Sequence, residues 1–143
     1  MISYINQDIS FNLPGKRLNN LWLKEVVKHE GKVLGSVSIV FCSDEYILKT
    51  NRQYLGHDYY TDIITFDYCE GNLISGDLII SVDSVRSNSQ EFNSGFDNEL
   101  DRVMVHGVLH LIGYDDHTPE DVAVMRAKED KYIAVKRELQ GNV

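Results

Sequence analysis

The stretch that decides the fold is residues 97–117, DNELDRVMVHGVLHLIGYDDH. Its apolar residues recur at spacings of three and four, the pattern of an α-helix buried along one side. They are Leu100, Val103, Met104, Gly107, Val108 and Leu111. Gly113 follows them and can adopt the left-handed conformation that ends a helix. The sequence therefore predicts a buried helix over about residues 97–112 and a turn, after which Thr118 caps the next helix and Pro119 begins it.

Two histidines lie at the edge of this apolar stripe. Helical residues four apart are neighbours, with Cβ atoms about 5–6 Å apart, so His106 and His110 can bind one metal ion. A catalytic zinc site has three protein ligands and an open position for water, and residues 115–117 of the turn offer further ligands. Either histidine alone is better explained as a core residue. However, residues 106–117 hold three of the five histidines and two aspartates, which favours a metal site.

The rest of the chain alternates strands with helices. β-Branched and aromatic runs between polar turns predict strands, and apolar residues at helical spacing predict helices. The predicted strands are 2–5, 36–41, 63–66 and 77–81, and the other predicted helices are about 18–31, 43–54, 82–92 and 119–139. We therefore expect one α+β domain over residues 1–143, with a mixed sheet of about four strands flanked by about five helices.

Composition and charge restrict the classes of function. The 143 residues suit one domain, and 14 basic against 22 acidic residues give a net charge of −8, which disfavours a general binder of polyanions. Any contact with nucleic acid must therefore be local. Cys42 and Cys69 form no CxxC motif, which favours a reducing, cytoplasmic location. No segment has the ~18 apolar residues of a membrane span, and no signal peptide is recognisable, so we expect an unexported protein without membrane contact.

Three segments together resemble a known family. HGVLHLIGYDDH at 106–117 resembles the signature of the YbeY family, which comprises rRNA maturation factors described as single-strand-specific endoribonucleases. NRQYLGHDYYTDIITF at 51–66 is similar to the family's second signature, and GDLIIS at 76–81 to its Gly-Asp strand. The resemblance implies one zinc ion and single-stranded ribosomal RNA as the substrate. It also implies a role at the 3′ end of small-subunit rRNA and in ribosome quality control, with ribosomal proteins or small-subunit assembly factors as partners.

The third metal ligand departs from the family pattern. The resemblance implies a histidine six residues after His110, but Asp116 stands there and His117 follows. A carboxylate oxygen binds zinc at about 2.0–2.2 Å, so Asp116 is the ligand that we expect. In the alternative, the loop presents His117 and Asp116 accepts a hydrogen bond from a ligand. A carboxylate ligand would also suit manganese or another ion that accepts oxygen ligands.

A second departure concerns contact with RNA. Leu55 stands where the family usually has an arginine that is thought to engage the RNA phosphate. Arg52 lies one helical turn earlier and is our candidate to replace it, although a solvated Arg52 fits the pattern equally well. We therefore predict His106 and Arg52 as catalytic residues. Tyr59 and Tyr60 are candidates to stack on unpaired bases, against the alternative that they belong to the core.

Three other functions compete with RNA cleavage. HxxxHxxG is also the skeleton of metzincin peptidases, but Gly107 replaces the glutamate that acts there as general base. A ribosome-assembly module with a structural metal would use four protein ligands, including both Asp116 and His117. A small acidic or phosphorylated substrate is the third possibility. We favour phosphodiester cleavage, with RNA in a groove between the helix of residues 97–112 and residues 51–65.

Overall fold

In the part of the chain that the structure describes, a four-stranded mixed sheet forms the centre of the protein. The computed structural model describes residues 1–56 and 61–141. The strands are β1 (Ile2–Asn6), β2 (Val33–Cys42), β3 (Ile63–Asp67) and β4 (Leu73–Ser81), in the order β1-β2-β4-β3. β2 pairs in parallel with both β1 and β4, whereas β3 pairs antiparallel to β4. The predicted α+β class is confirmed.

Among the described residues, five helices pack around this sheet, as the sequence predicts. They are α1 (Lys16–His29), α2 (Asp44–Leu55), α3 (Val82–Glu91), α4 (Phe96–Ile112) and α5 (Pro119–Gly141). The Ser43 hydroxyl caps α2 by accepting the N–H of Tyr46 at 3.2 Å, as expected for an N-cap serine. Within the described residues, no helix is both long and apolar enough to cross a membrane.

Helix α4 is the predicted buried helix and lies directly against the sheet. Its apolar stripe joins the main core, and Gly107 allows the close approach. A Cβ atom at Gly107 would lie 2.7 Å from Ile63 Cδ1 and 2.9 Å from Leu78 Cδ2, so both side chains would have to shift. Position 107 therefore faces β3 and β4, and the last two turns of α4 present their polar edge beside the sheet.

Two strands are longer than the sequence predicts. β2 begins at Val33 instead of residue 36, and β4 begins at Leu73 instead of residue 77. Their first parts contain glycine and serine, which have low strand propensity, but pairing between the two strands holds them extended through an irregularity between Leu34 and Val37. Gly76 allows β4 to lie close to Phe66 of β3 and to Leu111 of α4. A Cβ atom there would lie 2.3 Å from the Phe66 carbonyl oxygen.

Helix α5 crosses back over the protein and contacts both α1 and α4. Trp22 of α1 is fully buried, and its indole Nε1 donates to the backbone oxygen of Tyr132 in α5 at 2.7 Å. Met125, Tyr132 and Ile133 form the apolar side of α5. This contact fixes α5 beside the polar edge of α4.

Candidate metal centre

Three donor atoms converge where α4 ends. The Nε2 atoms of His106 and His110 lie 3.0 Å apart, and Asp116 Oδ2 lies 3.5 Å from each of them. A tetrahedral ion with ligands at about 2.0–2.1 Å holds its donor atoms about 3.3–3.4 Å apart. The three atoms therefore have the spacing of one face of a tetrahedral metal site, and the group could hold a metal ion.

The turn after α4 brings Asp116 back to the histidines. Gly113 caps the helix at φ 125°, and its N–H lies 3.1 Å from the carbonyl oxygens of both Leu109 and His110. The Tyr114 N–H donates to the Leu109 oxygen at 3.0 Å, which folds the chain back over the last helical turn. The predicted cap at the far end also forms, because the Thr118 hydroxyl accepts the N–H of Asp121 at 3.1 Å. The loop is thus held at both ends.

A buried carboxylate on α5 orients one of the histidines. Glu129 is 5% exposed, and its Oε2 lies 2.7 Å from His106 Nδ1. The other oxygen of Glu129 accepts from Arg102 at 2.8 Å, and Arg102 also donates to Asp130 at 2.7 Å. Because Nδ1 faces this carboxylate, His106 presents Nε2 to Asp116 and His110. A carboxylate behind a ligating histidine is a common support for metal sites.

Sequence reasoning missed Glu129, although a signal for it exists. Met125, Glu129 and Tyr132 follow the spacing i, i+4, i+7, so this glutamate interrupts the apolar stripe of α5. A carboxylate in a buried stripe needs a cationic or hydrogen-bonding partner. The pattern marks Glu129 as unusual, but it does not identify His106 and Arg102 as the partners.

Electrostatics at the site favour a positive charge. Burial alone would lower the pKa of His106, but the hydrogen bond to Glu129 and the nearby carboxylates of Asp116 and Asp62 outweigh it and raise that pKa. Burial likewise opposes ionisation of Glu129, yet the contacts with His106 and Arg102 hold its pKa below the ordinary value. For Asp62 burial dominates and raises the pKa. The carboxylates near His106 thus favour a positive charge at this ring.

A cavity of about 330 Å³ opens beside the donor atoms. Helices α3, α4 and α5 and the start of β3 form its walls. Residues that line it include Asp62, Phe92, Arg102, His106, Asp116 and Arg126. The cavity shares α4 and residues 62 and 63 with the predicted RNA groove, whereas α3, α5 and Asp116 in the loop after α4 form its other described walls.

The structure brings His106, His110 and Asp116 together, and this donor group contains none of the other predicted site residues that the structure describes. His117 is exposed and is not in the donor group. Arg52 is exposed on α2 and is not among the described residues that line the cavity, so its role stays a prediction. Tyr59 and Tyr60 lie outside the described residues.

Fold and donor group together define an α+β protein with a candidate metal centre on a helix and its following loop. The family model described as Endoribonuclease YbeY matches residues 4–136. An Endoribonuclease YbeY of Phocaeicola vulgatus is 51% identical over 135 residues, which cover 94% of this chain and 98% of that relative. An Endoribonuclease YbeY of Bacteroides thetaiotaomicron is 47% identical over 135 residues, which also cover 94% of this chain and 98% of that relative.

A solved structure is similar over almost the whole chain. The solution structure of TM1509 from Thermotoga maritima has a TM-score of 0.67 and 33% sequence identity, and the match covers 99% of this chain and 93% of that one. These similarities, together with the family model, show that the chain belongs to the Endoribonuclease YbeY family.

Proposed function

We propose that this protein is a metal-dependent endoribonuclease that cleaves single-stranded RNA in rRNA maturation, at the 3′ end of small-subunit rRNA. The observation that carries the proposal is the convergence of His106, His110 and Asp116, whose donor atoms all lie within 4.8 Å of one another beside an open cavity. The names of the relatives support the reaction class. A part in ribosome quality control stays a prediction.

In this proposal His106, His110 and Asp116 hold one zinc ion. When bound, such an ion lowers the pKa of a water to about 7 and neutralises charge on phosphoryl oxygens. Two imidazoles favour zinc, and the carboxylate makes manganese the other metal to test. Glu129 orients His106 from behind. The described donor group has three members, which supports an open coordination position and so favours catalysis over a purely structural metal.

The geometry gives no support to the peptidase alternative. The general base of metzincins occupies the position of Gly107, and in this fold that position faces Ile63 and Leu78 of the sheet. Peptide hydrolysis of that type would lack its base here.

The proposed partners are single-stranded RNA and ribosomal proteins or small-subunit assembly factors. Arg52 remains the candidate for a phosphate contact outside the cavity. Cytoplasmic action agrees with the two cysteines, because Cys42 is buried and neither it nor Cys69 forms a disulfide.

Metal content and cleavage of single-stranded RNA test the proposal in one set of variants. The wild type should bind one zinc ion and cleave, and His110→Ala and Asp116→Ala should lose both properties. His117→Ala is the matched control and should keep both. Cleavage by the wild type at the level of His110→Ala would contradict a nuclease, and loss of metal in His117→Ala alone would replace Asp116 by His117 as the ligand.

A further inference from the structure

An exposed aromatic ring stands at the wall of the cavity beside the metal centre. Phe92 caps the C-terminal end of α3 and is 64% exposed, although phenylalanine is usually buried in a folded domain. Its N–H donates to the Asn88 oxygen at 2.9 Å, so the helix end fixes the backbone that carries the ring. The same cavity is lined by His106 and Asp116. The end of α3 therefore positions the ring at the edge of the proposed active site.

A cation lies on another wall of this cavity. Arg126 of α5 has a side chain that is 62% exposed, and its Nη1 lies 3.7 Å from Glu129 Oε1, beyond hydrogen-bond distance. Arg102, the other arginine in the wall, is 20% exposed and is held by Glu129 at 2.8 Å and Asp130 at 2.7 Å. The guanidinium of Arg102 is thus held by contacts within the protein, whereas the guanidinium of Arg126 has N–H donors available for a ligand.

Most carboxylates of the cavity already have partners within the protein. Glu129 is held by Arg102 and His106, Glu99 accepts from the Ser94 hydroxyl at 3.1 Å, and Asp116 belongs to the donor group. Arg126 adds positive charge to this acidic wall. An aromatic face and a guanidinium in one cavity are the pair of groups that single-strand binders offer to a base and a phosphate.

We propose that this cavity is a nucleotide subsite, in which Phe92 stacks on one base of the RNA and Arg126 contacts a neighbouring phosphate. The inference rests on the proposed endoribonuclease function and deepens it. A base that stacks on Phe92 must first unstack from its neighbours in the strand. Unstacking costs less free energy for an unpaired nucleotide than for a paired one. The subsite would therefore contribute to a preference for single strands.

Single-turnover cleavage by the zinc-loaded protein tests the two contacts separately. The half-saturating protein concentration reports binding of a single-stranded RNA, and the maximal rate reports chemistry. The variants are Phe92→Ala, Phe92→Trp and Arg126→Gln. Tyr68→Ala, which removes a 60% exposed ring outside this cavity, and Arg137→Gln, at the far end of α5, are the matched controls. Zinc content and thermal unfolding confirm that each variant is folded and loaded.

We expect Phe92→Ala to raise the half-saturating concentration about tenfold, the size expected for one lost stacking contact, and Phe92→Trp to restore it. An RNA that lacks one base should bind the wild type about tenfold more weakly when the abasic position falls on Phe92. The same RNA should bind Phe92→Ala no more weakly than the intact RNA. Arg126→Gln should reduce the slope of log affinity against log salt concentration by about 0.7, the value for one phosphate contact on a single strand.

Binding by Phe92→Ala and Arg126→Gln equal to that of the wild type, with cleavage intact, would overturn the subsite and leave the endoribonuclease function standing. An equal loss in the controls would also overturn it, because the effect would not be specific to the cavity. A wild type that neither binds nor cleaves RNA would instead overturn the proposed function, and the subsite with it.

Discussion

Glu129 Oε2 lies 2.7 Å from Nδ1 of His106, so a carboxylate on α5 fixes the ring of a histidine on α4. The two residues are 23 positions apart in sequence, and α5 reaches His106 only because it packs against both α1 and α4. The orientation of the candidate metal ligand therefore depends on tertiary packing as well as on the helix that carries it.

Replacing Glu129 should weaken metal binding without removing a ligand. Glu129→Gln keeps the shape of the side chain but loses the charge behind His106, and such partners typically account for 10–100-fold in metal affinity. We expect a loss of that size for zinc, measured by competition with a chelator. Glu138→Gln, an exposed change on the same helix, is the control. An unchanged affinity in Glu129→Gln would show that packing alone orients His106.

Bound metal should stabilise the folded protein. At a free zinc concentration one hundred times the dissociation constant, binding to the native state alone adds about 2.7 kcal/mol to the free energy of unfolding. We expect the melting temperature of the wild type to rise with zinc and fall with a chelator. His110→Ala should not respond, while His29→Ala, which alters a histidine on α1, should respond like the wild type. A zinc response in His110→Ala would place the metal elsewhere.

The close approach at Gly76 should tolerate no side chain. The nearest atom to an added Cβ is a backbone oxygen, that of Phe66, which cannot rotate away. Gly76→Ala should therefore lower the free energy of unfolding by about 1–3 kcal/mol, the usual cost of overpacking, as measured in urea. Gly141→Ala meets no atom within 4 Å and should stay within about 0.5 kcal/mol of the wild type. Equal stability of the two variants would contradict this contact.

The hydrogen bonds to Glu30 predict how the free energy of unfolding changes at acidic pH. Burial alone would raise the pKa of Glu30, but hydrogen bonds from Tyr114 at 2.5 Å, from Tyr132 and from Lys128 at 3.1 Å outweigh it and lower that pKa below 4.5. A carboxyl group whose pKa is lower in the folded state stabilises the fold above its ordinary pKa. That contribution is lost as the pH falls through the folded value.

We therefore expect Glu30→Gln to be less stable than the wild type by about 1–3 kcal/mol at pH 7 and by less as the pH falls below 4.5. Urea unfolding of both proteins between neutral and acidic pH measures this difference. Glu25→Gln, which alters a partly exposed carboxylate on α1, is the control. A difference that is constant with pH, or that grows in acid, would refute the ionic character of the contact.

The local features of the candidate site were predictable from the sequence because each depends on neighbouring residues. The apolar stripe of α4, the pair His106 and His110, and the turn at Gly113 all follow from spacing and backbone geometry within residues 97–118. The same reasoning gave four strands and five helices. The sequence patterns did not predict the first parts of β2 and β4, because glycine and serine stay extended there only through pairing between the two strands.

The tertiary features of the site were not predictable from one sequence. Glu129 reaches His106 through the packing of α5, and Phe92 and Arg126 share a cavity although they are far apart in sequence. The third ligand is an intermediate case. The family resemblance indicated Asp116, which stands at the position of the expected histidine, and the placement of His117 outside the described donor group supports that prediction.

The hydrogen bond between Trp22 and Tyr132 gives the protein an internal reporter. The chain has one tryptophan, so all its indole fluorescence comes from a ring that is fully buried against α5. If α5 separates from the rest of the fold, that indole becomes hydrated and Glu129 leaves His106 in the same movement. An emission shift on chelation would therefore reveal whether loss of the metal loosens the helix that supports the site, without a label or a mutation.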